Sequence, residues 1–355
     1  MTAAPVLPFA WGGPVGTARV AALPEDFRVD EQLGFVAAGE GPHLLVRIRK
    51  RALSTMQAIH DLADHWQVAR RGVGHAGRKD RAAVTTQWLS VPWPIKAPCP
   101  DAGPVPAGGA GELEVLSVAR HRRKLPVGAL TGNRFTLTLR SVDAPRALMI
   151  ERLLAIARLG VPNYFGGQRF GRDHRNIERA GEWLMGGAPP RSRNDRSMLI
   201  SAARSAMFNA VLASRVRAGC WQWPQPDDLL TLDDRGSLFP AEPTEASFNR
   251  RRAAGLRIHP TGPLPGRDNR RQPLPEGLGR RERDCLVDWQ GWIDALADRA
   301  VVADRRALRL SIRGLAIRQL DATTWRLAFG LTRGAYATTV LRELITQAEG
   351  ASAAE

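Results

Sequence analysis

Residues 74–91, GHAGRKDRAAVTTQWLSV, set one carboxylate, Asp80, among Arg78, Lys79 and Arg81, a few positions after Gly74 and Gly77. A carboxylate flanked by cations is favoured in its ionised form even where water is partly excluded. In that form it can act as a nucleophile or as an electrostatic stabiliser, in a pocket whose charge also attracts phosphate. The two glycines would let a substrate backbone come close. The plainer reading is a solvated acid paired with neighbouring arginines, and the residues alone leave both open.

Other positions carry possible chemistry. Phe27, in PEDFRV, precedes a strand-like segment and reads most simply as a core aromatic. Asn133 and Phe135, in TGNRFTLTL, are two apart and so share one face of a strand, an amide beside a ring. NYFGGQRFGRDHRN (163–176) interleaves Tyr164, Phe165 and Phe170 with Arg169, Arg172 and Arg175. Rings among arginines suit single-stranded RNA, by stacking and phosphate contact, although a turn between domains could need the same rings. Gly72 to Lys79 is not a phosphate loop: Arg78 follows Gly77, the lysine comes one place late, and Asp80 stands where a hydroxyl would hold magnesium. The cysteines Cys99, Cys220 and Cys285 lie far apart, and the seven histidines form no ligand spacing. No metal site or disulfide framework is expected, which suits a reducing cytoplasm.

The elements that must position these residues are legible in outline. HLLVRIRK (43–50) alternates like a strand with one wet face. STMQAIHDLADHWQV follows at helical spacing with Ser54 as N-cap. VTTQWLSVPW (84–93), LEVLSVARH (113–121) and NRFTLTLRSV (133–142) read as strands, and 97–111 as an exposed loop. A helix over PRALMIERLLAIARLG closes this α+β block near residue 160. From Val161 to about Leu230 the pattern is helical, strongest in SMLISAARSAMFNAVLASRVRAG. Residues 240–283, rich in Pro, Gly and Arg, read as irregular, and a helix is expected around 283–302. Strand patterns return at 308–320 and 323–331, before a closing helix AYATTVLRELITQ. The order β-rich, helical, β-rich suggests one α+β domain interrupted by a helical insertion.

Charge narrows the class of partner. The 355 residues include 51 Lys+Arg against 35 Asp+Glu, a net charge of +16, and only Lys50, Lys79, Lys96 and Lys124 are lysines. An excess of this size points to a polyanion, and arginine forks suit phosphate and bases. The N-terminus lacks the basic and apolar regions of a signal peptide, and no apolar run is long enough to span a membrane. The expectation is a cytoplasmic protein with no membrane and no protein partner implied.

Taken together, PEDFRVDEQLGF (24–35), GHAGRKDRAAVTTQWLS (74–90), RHRRKLPVGALTGNRFTLTLR (120–140), GVPNYFGGQRFGRDHRN (160–176), SAARSAMFNAVLASR (201–215) and GAYATTVLRELI (334–345) resemble the TruD-type tRNA pseudouridine synthases. They occur in that family's order and span nearly the whole chain; 240–283 has no match. The resemblance implies an α+β fold: a pseudouridine-synthase-type mixed-sheet catalytic domain with a mainly helical inserted domain. The bounds would be 1–160 and 307–348 for the catalytic domain, 161–306 for the insertion, and 349–355 for a tail. It implies tRNA as partner, no cofactor and no metal, and as reaction the conversion of a D-arm uridine, position 13, to pseudouridine.

Asp80 falls on the family's catalytic aspartate, Phe27 and Asn133 on residues that shape the site, and Phe135 on the ring that stacks on the target base. Some members carry a basic residue four places before the motif Glu25, where this chain has Ala21. Arg19, Lys79 or Arg342 could supply that cation, so Lys79 and Arg342 join the expected binding residues. The alternative is a non-catalytic RNA-binding protein or RNA chaperone using the same charge.

Overall fold

Leu44, Val46 and Ile48 recur at a period of two along the strand His43–Arg51, and all three are fully buried. Against them packs the helix Thr55–His65, whose N-cap Ser54 accepts a hydrogen bond from the Gln57 amide. Its Ala58, Ile59, Leu62 and Ala63 meet Leu89 and Val91 of the strand Val84–Pro92 in the same core. Helical and strand periods thus bury one face each, which is what sheet and helix need to coexist. The structure, a computed structural model of the chain, describes residues 7–233, 236–268 and 274–348. The expected tail, 349–355, lies outside the described residues.

The chain divides into two units. One, here the sheet unit, comprises Pro14–Met149, Ile312–Gly334 and the residues from Ile345 on. The other, the helical unit, comprises the residues up to Gly13, Ile150–Ser311 and Ala335–Leu344. The helix Arg146–Leu159 therefore straddles a division that the sequence pattern put near residue 160.

The sheet unit is built on a mixed sheet whose main path runs Arg313–Gln319, Trp325–Thr332, Leu130–Asp143, Phe27–Leu33, Val84–Pro92, His43–Arg51, Glu112–His121, Gly103–Val105. Along this path only Phe27–Leu33 and Val84–Pro92 run parallel. Thr17–Val20 flanks Leu130–Asp143 antiparallel and pairs in parallel with Thr346–Gln347. Several expectations change here. The stretch 308–320 forms two strands, because Arg309–Leu310 pairs with Val161–Pro162 while Arg313–Gln319 pairs with Trp325–Thr332. The closing helix is short, Ala337–Leu341, and the chain then turns into the strand Thr346–Gln347. The loop 97–111 contributes the short strand Gly103–Val105.

The helical unit centres on the helix Arg193–Arg217, capped by Ser192 and packed through Ala203, Ala206, Met207 and Phe208 against Trp183, Trp289 and Trp292. Beside its helices it holds a four-stranded sheet, Leu238–Pro240, Leu229–Leu232, Ile258–Leu264 and Asp304–Ala307. The stretch 240–283 is ordered where described, with a helix Ala246–Ala254, the strand Ile258–Leu264 and the start of a helix Glu276–Cys285. Its arginines make structural contacts rather than loops: Arg250 lies over Trp223 at 4.5 Å, and Arg252 over Phe239 at 5.3 Å. The single helix expected at 283–302 is two helices, broken at Val287–Trp289.

Candidate active site

The strand register assembles the site on one face of the sheet. Phe329 pairs with Phe135, Phe135 with Val29, Val29 with Thr85, and Thr85 with Lys50. Residues in register point to the same face, so these five form one row across the sheet. The adjacent row holds Leu331, Asn133 and Glu31. Phe27 follows on the same face, because it lies two residues before Val29.

Phe135 is 6% exposed, edge-on to Phe27 at 6.2 Å and stacked on Phe329 at 5.7 Å. The three rings make an apolar wall in which Phe27 is the half-buried member. The turn before Phe27 is locked by Asp26, which accepts from the Leu23 amide and holds the Arg140 guanidinium through two 2.8 Å contacts. Next to Asp26, Glu25 binds Arg51 at 2.5 Å, and that hydrogen bond draws its carboxyl below the usual range. Asn133 presents a buried Oδ1 without a protein partner among the described residues.

Asp80 itself is exposed, on a loop between the short strand Gly74–His75 and Val84–Pro92. Backbone and side chains pin that loop at several points. Gly128 donates its amide to the Ala76 carbonyl at 2.6 Å. The Lys79 amide donates to Thr55 Oγ1 at 2.9 Å, and the Thr55 hydroxyl donates in turn to Gln87 Oε1 at 3.0 Å. Lys50 Nζ donates to the Asp80 carbonyl at 2.7 Å and to the Leu53 carbonyl at 2.6 Å. The Lys79 ammonium pairs with Glu31 Oε2, in a contact where neither side chain is more than 6% exposed. Glu31 Oε1 takes the Trp88 amide at 3.0 Å, where the Phe27–Leu33 and Val84–Pro92 strands part.

Gly74 is required for packing within the chain. A Cβ there would lie 2.6 Å from the Leu125 carbonyl and from Ser90 Oγ, so the close approach it permits is between two protein segments rather than to a substrate. Gly77 has room, its nearest neighbour being Lys79 Nζ at 3.7 Å from such a Cβ. His75, two residues before Gly77, has its ring pushed down in pKa by burial and then by Arg78.

Phe27, Lys79, Asp80, Asn133 and Phe135 thus belong to one unit, three on one sheet face and two on the loop beside it. Lys79 is committed to Glu31. Arg342 belongs to the helical unit, where it pairs with Glu343 at 2.7 Å, donates to the Leu7 carbonyl at 2.7 Å and lies 4.3 Å over Phe9. The rings of the 163–176 segment also lie in that unit and are not a stacking surface. Tyr164, Phe165 and Phe170 are core residues, and Asn209 holds both the amide and the carbonyl of Phe165 at 2.9 Å.

Sequence reasoning passed over Lys50, Thr55, Glu31 and Phe329. For Lys50 a signal existed: it is in phase with Leu44, Val46 and Ile48, so the period of two already buries it. For Phe329 and Glu31 the signal is cross-strand register, which no local pattern carries.

Among the described residues, no group of three or more His, Cys, Asp or Glu side chains is placed to hold a metal ion. None of the described helices is long and apolar enough to cross a membrane.

Comparison with known proteins gives the arrangement a lineage. The family model described as tRNA pseudouridine synthase D (TruD) matches residues 9–192 and 191–344. A curated tRNA pseudouridine synthase D of Pseudomonas fluorescens is 42% identical over 343 residues, 95% of this chain and 94% of that protein. The protein of the same name from Xanthomonas campestris pv. campestris is 43% identical over 357 residues, 97% of this chain and 95% of that one. A crystal structure of a putative tRNA pseudouridine synthase D from Methanosarcina mazei superposes with a TM-score of 0.70 at 21% identity, covering 96% of both chains, and shows that the fold is shared. The chain belongs to the TruD family of tRNA pseudouridine synthases.

Proposed function

We propose that this chain converts a uridine of tRNA, at position 13 of the D arm, to pseudouridine, with Asp80 as the nucleophile. The observation that carries the reading is Asp80 itself: an exposed carboxylate on a loop pinned by Thr55, Lys50 and Glu31, beside a face bearing Phe27, Asn133 and Phe135. An exposed acid on so constrained a backbone is what positioned chemistry requires. In the reaction the N1–C1′ bond of uridine breaks, the freed uracil turns, and C5 bonds to C1′. Asp80 either attacks C1′ or removes a sugar proton to start the sequence. C5 then loses its proton while N1 gains one, so atoms and electrons balance without an oxidant or reductant.

The target base must leave its stack, at about a few kcal/mol. Phe135, with Phe27 and Phe329 around it, would offset that cost by stacking. The Asn133 Oδ1, a buried acceptor without a protein partner, suits an N–H of the turning uracil. Lys79 and Arg342 would serve binding indirectly, Lys79 by holding the Asp80 loop to Glu31 and Arg342 by holding the Leu7–Phe9 segment in the helical unit. Residues 161–306 would serve as an inserted tRNA-holding domain, and the working compartment would be the cytoplasm.

The test is to incubate the full chain with an unmodified tRNA transcript and map pseudouridine by carbodiimide-dependent primer stops. A stop at position 13 that Asp80→Asn removes, with tRNA affinity retained, is the expected result. A wild type that binds tRNA but gives no stop on any transcript would make the chain a non-catalytic RNA-binding protein. An active Asn variant would remove Asp80 from its role.

A further inference from the structure

Lys50 is fully buried, and among the described residues no carboxylate bonds its ammonium. The two acceptors that hold it are main-chain carbonyls, Leu53 at 2.6 Å and Asp80 at 2.7 Å. A buried ammonium costs far more than a buried apolar group of similar length, and the three residues that precede it in phase, Leu44, Val46 and Ile48, are apolar. A charge kept at such a position needs an object. Burial has the largest effect on its ammonium, lowering its pKa; the Asp80 carboxylate opposes that, and the nearby Lys79 ammonium adds to it.

The geometry explains how one cation could serve the reaction without touching substrate. At Ala52 the chain takes a positive φ of 55° and doubles back, which brings the Leu53 carbonyl onto Lys50 Nζ. The ammonium is thereby fixed before it meets the loop. On the loop, the Lys79 amide is held by Thr55 and the Asp80 carbonyl by Lys50, so the backbone is clamped on both sides of the Lys79–Asp80 peptide. With both ends fixed, the exposed side chain of Asp80 retains only its own rotamers. The other candidates have different employment: Lys79 is paired with Glu31, and Arg342 with Glu343 in the helical unit.

We propose that Lys50 is a positioning residue for the isomerisation: its buried ammonium clamps the main-chain carbonyl of Asp80 and sets a fixed positive charge behind the carboxylate. The inference rests on Asp80 being the nucleophile. The cation sits behind the loop, on the Asp80 carbonyl, rather than beside the carboxylate. Burial also pushes Lys50 down to about 8, so its charge is lost within the range where the enzyme can be assayed.

The experiment compares full-length wild type, Lys50→Met and Lys50→Arg in single-turnover pseudouridine formation on a tRNA transcript. Filter binding of the same transcript and thermal melting run alongside. Lys50→Met is expected to lower the rate about 100-fold with affinity unchanged, the loss typical of a misplaced reacting group. Lys50→Arg keeps the charge and should recover most of that loss.

The pH profile reads what a purely structural role would not move. The wild-type rate should fall about tenfold per pH unit above about pH 8 as Lys50 discharges, and Lys50→Arg should lack that limb. A Lys50→Met rate close to wild type, or superimposable alkaline limbs for wild type and Lys50→Arg, would overturn the proposal. If Lys50→Met does not fold, the comparison of wild type with Lys50→Arg decides. A wild type without product defeats the functional reading and this inference with it. An active wild type, an inactive Asp80→Asn and a fully active Lys50→Met defeat this inference alone.

Discussion

Replacing Thr55 by valine removes one hydroxyl and almost no volume, yet that hydroxyl joins three elements. It accepts the Lys79 amide of the Asp80 loop at 2.9 Å and donates to Gln87 Oε1 at 3.0 Å, from the first residue of a helix. Thr55 is 2% exposed and Gln87 fully buried, so water does not replace either bond without rearrangement. Each orphaned buried group costs about 1–3 kcal/mol, and the pair together about 3 kcal/mol after partial relaxation. For a unit of this size, about 2–4 °C per kcal/mol makes the expected drop in melting midpoint roughly 6–12 °C. Because the lost anchor lies one residue before Asp80, turnover should fall about tenfold or more while tRNA affinity holds.

Thermal melting by circular dichroism and single-turnover kinetics measure the two effects, and Thr55→Ser is the control. Serine keeps the hydroxyl and loses a methyl, so it should cost about 1 kcal/mol and leave the rate near wild type. If valine matches serine in both stability and rate, the hydroxyl is not an anchor and the account of the loop is wrong.

Glu31→Gln should destabilise the sheet unit by about 3 kcal/mol in urea unfolding, because it strands the buried Lys79 ammonium; wild-type stability would show that the pair is dispensable. Phe135→Ala opens a gap between Phe27 and Phe329 and should cost about 3–5 kcal/mol. In folded protein it should slow turnover more than it weakens tRNA binding, and equal losses would contradict a stacking role. His259 accepts from Arg309 Nε at 2.9 Å through Nδ1, so its proton is on Nε2, facing Asp233 Oδ1 at 2.9 Å. Burial lowers its pKa from the ordinary 6.5, so below that pH the unfolded chain binds the extra proton first and stability falls with pH. Urea titrations at neutral and at mildly acidic pH test this, with His259→Gln expected to flatten the acid loss; an unchanged slope in that variant would assign the loss to other groups.

How much of this was legible in the sequence varied with the range of the interaction. Asp80 and its loop stood out because charge, glycine and strand signals lie within a few residues. The alternation of His43–Arg51 and the Ser54 cap are local, and both are found where the pattern puts them. What escaped depends on partners far along the chain. Residues 308–320 read as one strand-like stretch, but two distant strands claim its halves. The segment after Leu341 has helical composition, yet Thr17–Val20 draws Thr346–Gln347 into the sheet. The helix Ala246–Ala254 buries only Asn249 and Ala253, too thin a stripe for periodicity to register. The candidate site divides in the same way: its acid is a local signal, and its supports are a matter of register.

The parallel pairing of Thr17 with Thr346 has a consequence for biogenesis. A ribosome releases the chain from its N-terminal end, so Thr17–Val20 waits until Thr346–Gln347 has been made before that neighbour exists. The strand Leu130–Asp143 likewise waits for Trp325–Thr332, and until then one of its sides offers unpaired main-chain groups. The helical unit, by contrast, draws most of its residues from the single continuous stretch Ile150–Ser311. Translation therefore makes most of one unit while the other is held open, with the Asp80 loop on a sheet whose edge is still unfinished. A nascent chain stalled after Ser311 should engage chaperones through that sheet, and the released chain should not.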